Sequence, residues 1–506
     1  MRSLIVESSF TDPPDLLLPA LGSIPGTILL CSGSPIGPHA RYSLLAAQPF
    51  LRFQSRGSRC EAWSARGRTT WFGNPWHVLE GLLNRYEVRD EIDHPFPLGG
   101  CFGFWSYDLR HHVEPRLPHR HPPELDLPQA HLGFHDSLVV FDHALQKAFI
   151  VGTGLRLDGS RSLEAAEHQV QFWQRILATP IAAPSRPAFA ANSLAEPISS
   201  LDEGGFVTAV QLAQKYIRAG DVYQVNLSRR LAVDWPGQGA ELFRRLLAVT
   251  PAPFAAYLDG GTFQLASSSP ELFLRLSGRQ VVTRPIKGTR PRAADAIRDA
   301  QLAYELQTSP KELAELLMIT DLLRNDLGRI CDYGSIHVPE LARLEQFPQV
   351  QHLVATIEGR LRPQLSHLGA LAQCFPGGSV TGAPKIRAME IIDQLEPVGR
   401  GPYTGALGYL GFNGESQLSI VIRTAITTAG KAWFHTGAGI VADSSPEAEY
   451  AETTAKAAGF LLAVSTPSQS DEPGDAGSTS STSNAGAAQV EHVTPSLQRP
   501  DRWSRR

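Results

Sequence analysis

Short apolar runs cut by glycine and proline fill roughly the first 180 residues, and long helices cannot pass through such punctuation. Segments 27–30 and 137–141 have the length and composition of buried strands. One stretch escapes. Leu163, Ala166, Val170, Trp173 and Leu177 recur at three and four, which makes a helical face that Ser162 is placed to cap. Residues 181–200, rich in Pro, Ala and Ser, then read as a linker.

From Leu201 the texture changes. Apolar residues at helical spacing over 206–217 end at Gly220, a helix-stop residue. Longer helices are expected over 309–325 and from Pro446 to about Leu462, the second capped by Ser445. Strands are expected at 263–266 and 419–423. The mixed order predicts an α+β domain over 201–464, preceded by a strand-rich region over 1–180. From Ser465 the chain is mostly Ser, Gly, Asp, Ala and Pro, which predicts a disordered tail over 465–506.

A formal net charge of −4, without a basic stripe interleaved with aromatics, argues against a nucleic-acid partner. The five cysteines are scattered and odd in number. They suit a reduced, cytoplasmic protein with neither a disulfide frame nor a zinc site. No apolar run approaches the roughly 20 residues of a membrane span, and the N-terminus does not read as a signal peptide.

Several groups of residues could carry chemistry. Lys287 sits between Pro285 and Gly288, so its direction is set by backbone constraint; desolvation would make its amine a nucleophile, whereas an ordinary turn lysine would do nothing. Glu312 and Glu315 share one helical face, as do Glu449 and Glu452, with Lys456 one turn on. Either pair alone is what a solvated helix face offers, but four converging carboxylates suit a hard cation such as Mg²⁺. The glycine-rich run 375–385 precedes a helix over 386–394 and could present N–H groups to an anion. Segment 436–441 reads as a glycine turn that lets a ligand approach the backbone closely. Arg423, placed on a strand, could fork onto a carboxylate or form a structural ion pair. His352 lies in an apolar strand, where histidines are usually core residues. His111, His112, His119 and His121 lie among Pro and Arg and read as surface loop. No nucleophile elbow supports serine hydrolysis.

The runs Asp221–Ser228, Ser269-Pro270-Glu271, Pro285–Thr289, Asp321–Arg329, Gly378–Lys385 and Gly437–Ser444 together resemble the chorismate-utilising enzymes, in order and spacing, from about Leu201 to Leu462. The segments 42–45 and 99–109 match more loosely. The resemblance implies an α+β fold of antiparallel sheets packed as a sandwich and flanked by helices. It implies Mg²⁺ held by Glu315 and Glu452 with Glu312 and Glu449 in support. Arg423, Lys456 and the backbone of Gly437, Ala438 and Gly439 would hold substrate carboxylates, with His352 and Thr381 lining the pocket. Glu271 would be the general acid and Lys287 the nucleophile.

Two positions distinguish branches of this family. Anthranilate-forming members usually carry alanine where this chain has Lys287, and isochorismate-type members carry a lysine where it has Gln224. Lys287 with Gln224 therefore resembles the branch that aminates chorismate at C4, for 4-aminobenzoate and folate synthesis. The alternatives are an anthranilate synthase and a non-catalytic chorismate or tryptophan sensor on the same fold. Without a recognisable glutaminase motif, ammonia is expected from a separate glutamine amidotransferase subunit. The resemblance also implies a tryptophan-pocket-like region near Leu30–Gly33 and Arg41-Tyr42.

Overall fold

The computed structural model describes residues 2–10, 12–32, 40–88, 94–121, 124–180, 197–347 and 350–465. Most of the expected linker, all but the first residue of the expected tail, and Gly33 lie outside them.

The expected helices form where their caps and faces dictate. In Leu163–Leu177, Ala165 N–H donates to the Ser162 hydroxyl at 3.2 Å. In Glu203–Arg218, Gly205 N–H donates to Asp202 at 2.7 Å, and Gly220 follows the end at φ +82°. The helix Pro310–Ile330 begins behind Ser309 with proline in its first turn. It runs past Asn325 because Leu327 and Ile330 extend its buried face. The last helix is Pro446–Val464.

Two twelve-stranded antiparallel sheets carry the fold. The first runs Leu4–Ser8, Lys147–Gly152, Ser137–Asp142, Tyr42–Ala46, Ile28–Cys31, Phe254–Asp259, Gln264–Ser269, Thr424–Thr428, Lys431–Ile440, Gln224–Asp234, Ile198–Ser199, with Gly382–Ala383 also paired to Gln224–Asp234. The second runs Ile286–Pro291, Val350–Arg360, Gln280–Arg284, Leu272–Ser277, Glu415–Ile420, Ala406–Gly411, Gly100–Trp105, Ala130–His135, Leu51–Arg56, Arg59–Ser64, Gly67–Phe72, with His337–Gln346 on Val350–Arg360.

Strand alternation builds the layers. In Ser137–Asp142, Leu138 and Val140 pack with Phe102, Phe104 and Leu407 of the other sheet, while Val139 and Phe141 pack outward with Val170 and Trp173 of a covering helix. The first sheet is covered by Leu163–Leu177, Gly239–Val249 and Pro446–Val464. The second is covered by Pro75–Leu83, Pro310–Ile330 and His367–Cys374. The order is helix, sheet, sheet, helix. Each sheet takes strands from both sides of the linker: Ile28–Cys31 pairs with Phe254–Asp259, and Gly100–Trp105 with Ala406–Gly411. The expected boundary at 181–200 is thus a change in composition, while the packing runs across it.

The chain twice crosses between the sheets in a few residues. Gln264–Ser269 of the first sheet leads through Pro270 and Glu271 into Leu272–Ser277 of the second. Glu415–Ile420 of the second leads back through residues 421–423 into Thr424–Thr428 of the first. Arg423 is therefore not on a strand as expected. It sits at φ +50°, where the backbone turns between sheets. The 436–441 segment is also corrected: residues up to Ile440 belong to the strand Lys431–Ile440, because its glycines pair in register with Gln224–Asp234 instead of turning. The five cysteines are unpaired and buried, and no helix among the described residues is long and apolar enough to cross a membrane.

Candidate functional site

Both crossings open onto one cavity of about 490 Å³. Pro270 and Glu271 line it from one crossing and Ile422 and Arg423 from the other. A strand-to-strand crossing frees backbone and side chains from the ladder, which is why polar groups gather here.

Glu271 is 6% exposed. Burial pushes its carboxyl up to about 7, against the smaller opposing effects of a hydrogen bond from Ser379 and the charges of Lys287 and Lys456. It therefore keeps its proton below neutrality, where an ordinary glutamate has lost it. Arg423 also lines the cavity, and burial alone lowers its guanidinium. It makes no ion pair among the described residues, so the structural-pair reading has no partner here and the fork is free for an anion.

Lys287 lies on the edge strand Ile286–Pro291, beside a register shift at Gly288, whose φ is +65°. At this φ a side chain is strained, and a Cβ on Gly288 would also meet Leu306 at 2.6 Å, so glycine suits this bulge best. The bulge sets the lysine's direction. Lys287 makes no hydrogen bond or ion pair among the described residues, in contrast to Lys456. Its Nζ lies 3.6 Å, and the Gln224 amide nitrogen 2.5 Å, from where a Cβ on Gly439 would be. Gln224 is fully buried, and neither of its amide atoms has a partner. It does not line the cavity, although it packs against Gly439 on the side that faces Lys287.

Gly437 and Gly439 line the cavity and Ala438 does not. The alternation explains this. Asn226 and Ser228, opposite Gly439 and Gly437, send their N–H groups to Thr381 O and Glu396, away from the glycine strand. The glycines' own polar groups must then point the other way, beyond the reach of Thr424–Thr428, which pairs only as far as Phe434. Two backbone N–H groups are thus offered to a ligand, and Ala438 is withdrawn from the expected set.

The four acidic residues line the same cavity from two helices. Burial raises Glu315 and Glu449, and Glu452 raises both further. Glu452 differs: burial pushes it up, but Lys456 and other nearby lysines bring it below its ordinary value. Its side chain is 49% exposed, and Glu449 is the buried member of that pair. Glu452 pairs with Lys456 at 2.7 Å, and Lys456 also donates to Gly437 O at 2.9 Å. Glu312 accepts from Arg290 at 3.3 Å. Among the described residues no three His, Cys, Asp or Glu side chains converge closely enough to ligate one ion. The donor set, all carboxylate oxygen with mutual repulsion, nonetheless fits Mg²⁺ chemically.

His352 is buried and lines the cavity, its Nδ1 2.9 Å from the Thr289 hydroxyl; burial lowers it to about 3, so it is neutral. Thr381 does not line the cavity: its hydroxyl donates to Gly377 O and Gly378 O, and Ser379 and Val380 face inward instead. The helix Lys385–Leu395 does not aim its N-terminus here either; Lys385 is tied to Asp326 at 2.7 Å, facing a separate groove. His111 is not surface loop. It is buried on Arg110–Val113, stacked on His119 at 3.6 Å, and both line a second cavity of about 480 Å³ that shares His435 with the first.

Sequence reasoning missed Arg290, Lys311, Tyr403 and His435, which no local pattern marks. It also missed Asn226 and Ser379, although both lie inside motif runs. Behind the cavity wall, Arg400 and Glu396 form a buried pair at 2.6 Å; Arg400 also donates to Val380 O and Asn226 O. Near the N-terminus, Ser32 bonds Ser43 and Tyr42 O, and Arg41 forks onto Asp142.

The family model for chorismate binding enzymes matches residues 38–462. Aminodeoxychorismate synthase component 1 of Salmonella typhimurium is 39% identical over 431 residues, 85% of this chain and 91% of that one. Anthranilate synthase component 1 of Acetivibrio thermocellus is 37% identical over 432 residues, covering 84% and 87%. The crystal structure of anthranilate synthase component I from Streptococcus pneumoniae superposes with a TM-score of 0.73 at 31% identity, covering 85% of this chain and 93% of that one.

Proposed function

Because the chain belongs to the chorismate-binding enzyme family, and so acts on chorismate, we propose that it is the synthase component that converts chorismate and ammonia to 4-amino-4-deoxychorismate. Relatives of both kinds stand at similar identity, so overall likeness does not choose the product. The observation that carries the choice is Lys287, an unpaired amine aimed into the cavity that also holds Glu271, whose buried carboxyl is pushed up to about 7.

In this reading the Lys287 amine attacks C2 of chorismate as both ring double bonds shift towards C4. The C4–O bond breaks, and Glu271 gives its proton to the departing hydroxyl, which leaves as water. The amine's surplus proton passes to solvent or to Glu271. Ammonia then attacks C4, both double bonds shift back, the C2–N bond to Lys287 breaks, and the surplus proton of the entering ammonia is taken up by the departing lysine amine. Arg423 and the N–H groups of Gly437 and Gly439 hold substrate carboxylates, and neutral His352 packs the ring without adding charge. Glu315 and Glu452, supported by Glu312 and Glu449, would hold Mg²⁺. The bound ion would supply positive charge to the ring carboxylate. Ammonia comes from a glutamine amidotransferase subunit, in keeping with the "component 1" names of the relatives. The Ser32–Tyr42 region is where a tryptophan pocket would lie.

The test is product identity. With chorismate, Mg²⁺ and ammonium salt, the expected product becomes 4-aminobenzoate only after a lyase is added. Anthranilate fluorescence without lyase would refute the reading and favour the anthranilate alternative. Turnover of either kind removes the sensor reading.

A further inference from the structure

Three of the four cavity carboxylates are matched by cations of the chain itself: Glu312 by Arg290, Glu452 by Lys456 and Glu315 by Lys311. The three cations are not equivalent. Arg290 also bonds the carbonyl of Thr289, and Lys456 also bonds the carbonyl of Gly437. Lys311 makes one long contact, 3.9 Å to Glu315, and its side chain is 60% exposed. It stands in the first turn of the helix Pro310–Ile330, where the helix dipole disfavours a cation. What favours it there is the acidic cluster: its charge acts on Glu449 and Glu452 of the facing helix as well as on Glu315.

We propose that Lys311 is a resident counter-cation of the carboxylate cluster, which neutralises Glu315 before a divalent ion arrives and is displaced into solvent by it. The proposal rests on the metal reading above. Four carboxylates without a counter-charge would repel one another and splay the two helices. Four carboxylates locked in tight ion pairs would resist a metal. A long-armed exposed lysine meets both needs, because its loose pair is cheap to break and its head reaches water by rotating its stem. Lys311 thus sets metal affinity without touching substrate, and raises the metal concentration at which the site loads.

Titration of the full chain with Mn²⁺, without chorismate, reads this directly through the electron-spin signal of the free ion. Lys311→Met removes the competing charge and should tighten binding by about threefold to tenfold at low salt. The gain should shrink near about 0.5 M salt, where exposed charges are screened. Lys311→Arg should bind as the unsubstituted protein does. Unchanged or weaker binding by Lys311→Met overturns the proposal while leaving the metal reading in place. Failure of the unsubstituted protein to bind Mn²⁺ overturns the metal reading and the proposal with it.

Discussion

Replacing Glu271 by glutamine should move activity and stability in opposite directions. Glutamine keeps the shape and can still bond Ser379, but it has no acidic proton. Loss of a positioned general acid lowers turnover by about 10²- to 10⁴-fold. Stability follows from the carboxyl's raised value, about 7 against an ordinary 4.5. Below pH 4.5 the group is protonated in both folded and unfolded chains and costs nothing. Between 4.5 and 7 the unfolded chain releases the proton while the folded one keeps it, so stability falls as pH rises. Above 7 the full cost of a buried charge applies, about 3 kcal/mol. Glu271→Gln removes this penalty, so it should be more stable than the parent by up to about 3 kcal/mol at pH 8 and by under about 1 kcal/mol at pH 5. Denaturant unfolding at the two pH values measures the gap, and a pH series of turnover shows whether the fall in rate above about pH 7 disappears with the acid. A variant with no stability gain at pH 8 would refute the burial argument. A loss of turnover below about tenfold would refute the acid role.

Two further outcomes test the cavity wall. Gly437→Ala places a Cβ 2.6 Å from the Leu227 carbonyl, whereas Gly439→Ala meets the movable Gln224 amide at 2.5 Å. The first should lower the melting temperature more, and the second should spare stability while slowing turnover, because the amide is pushed towards Lys287. Arg400→Met leaves Glu396 buried and unpaired, at a cost of about 3 to 5 kcal/mol by denaturant unfolding.

Helices were legible because their signals are local: Ser162 and Ser309 mark starts, and periodic apolar faces mark extents. The burial of the 137–141 strand was legible because an unbroken apolar run suits a strand packed on both faces. The motif runs located Lys287, Glu271 and the acidic pairs, which do share one cavity. What was not legible depends on partners distant in sequence. Gly437 to Gly439 look like a turn until the register with Asn226–Ser228 is known. Arg423 looks like the end of a strand until the strand before it and the strand after it are seen to lie in different sheets. Thr381 is the local exception: it turned away from the cavity because Gly377 and Gly378 offer carbonyls to its hydroxyl within its own loop. His111 is buried in part because the ring of His119 stacks on it.

The interleaving of strands also dictates a schedule for synthesis. Gly100–Trp105, buried along its whole length, emerges roughly 300 residues before its partner Ala406–Gly411. At translation speeds of about 5 to 20 residues per second, its edge stays open for roughly 15 to 60 seconds. Ile28–Cys31 waits in the same way for Phe254–Asp259. The early part of the chain therefore spends its time on the ribosome as apolar strands with unfilled edges, prone to pair with neighbouring nascent chains. Neither sheet can close until almost the whole chain has been made, so chaperone supply during synthesis should limit the yield of this protein more than its final stability does.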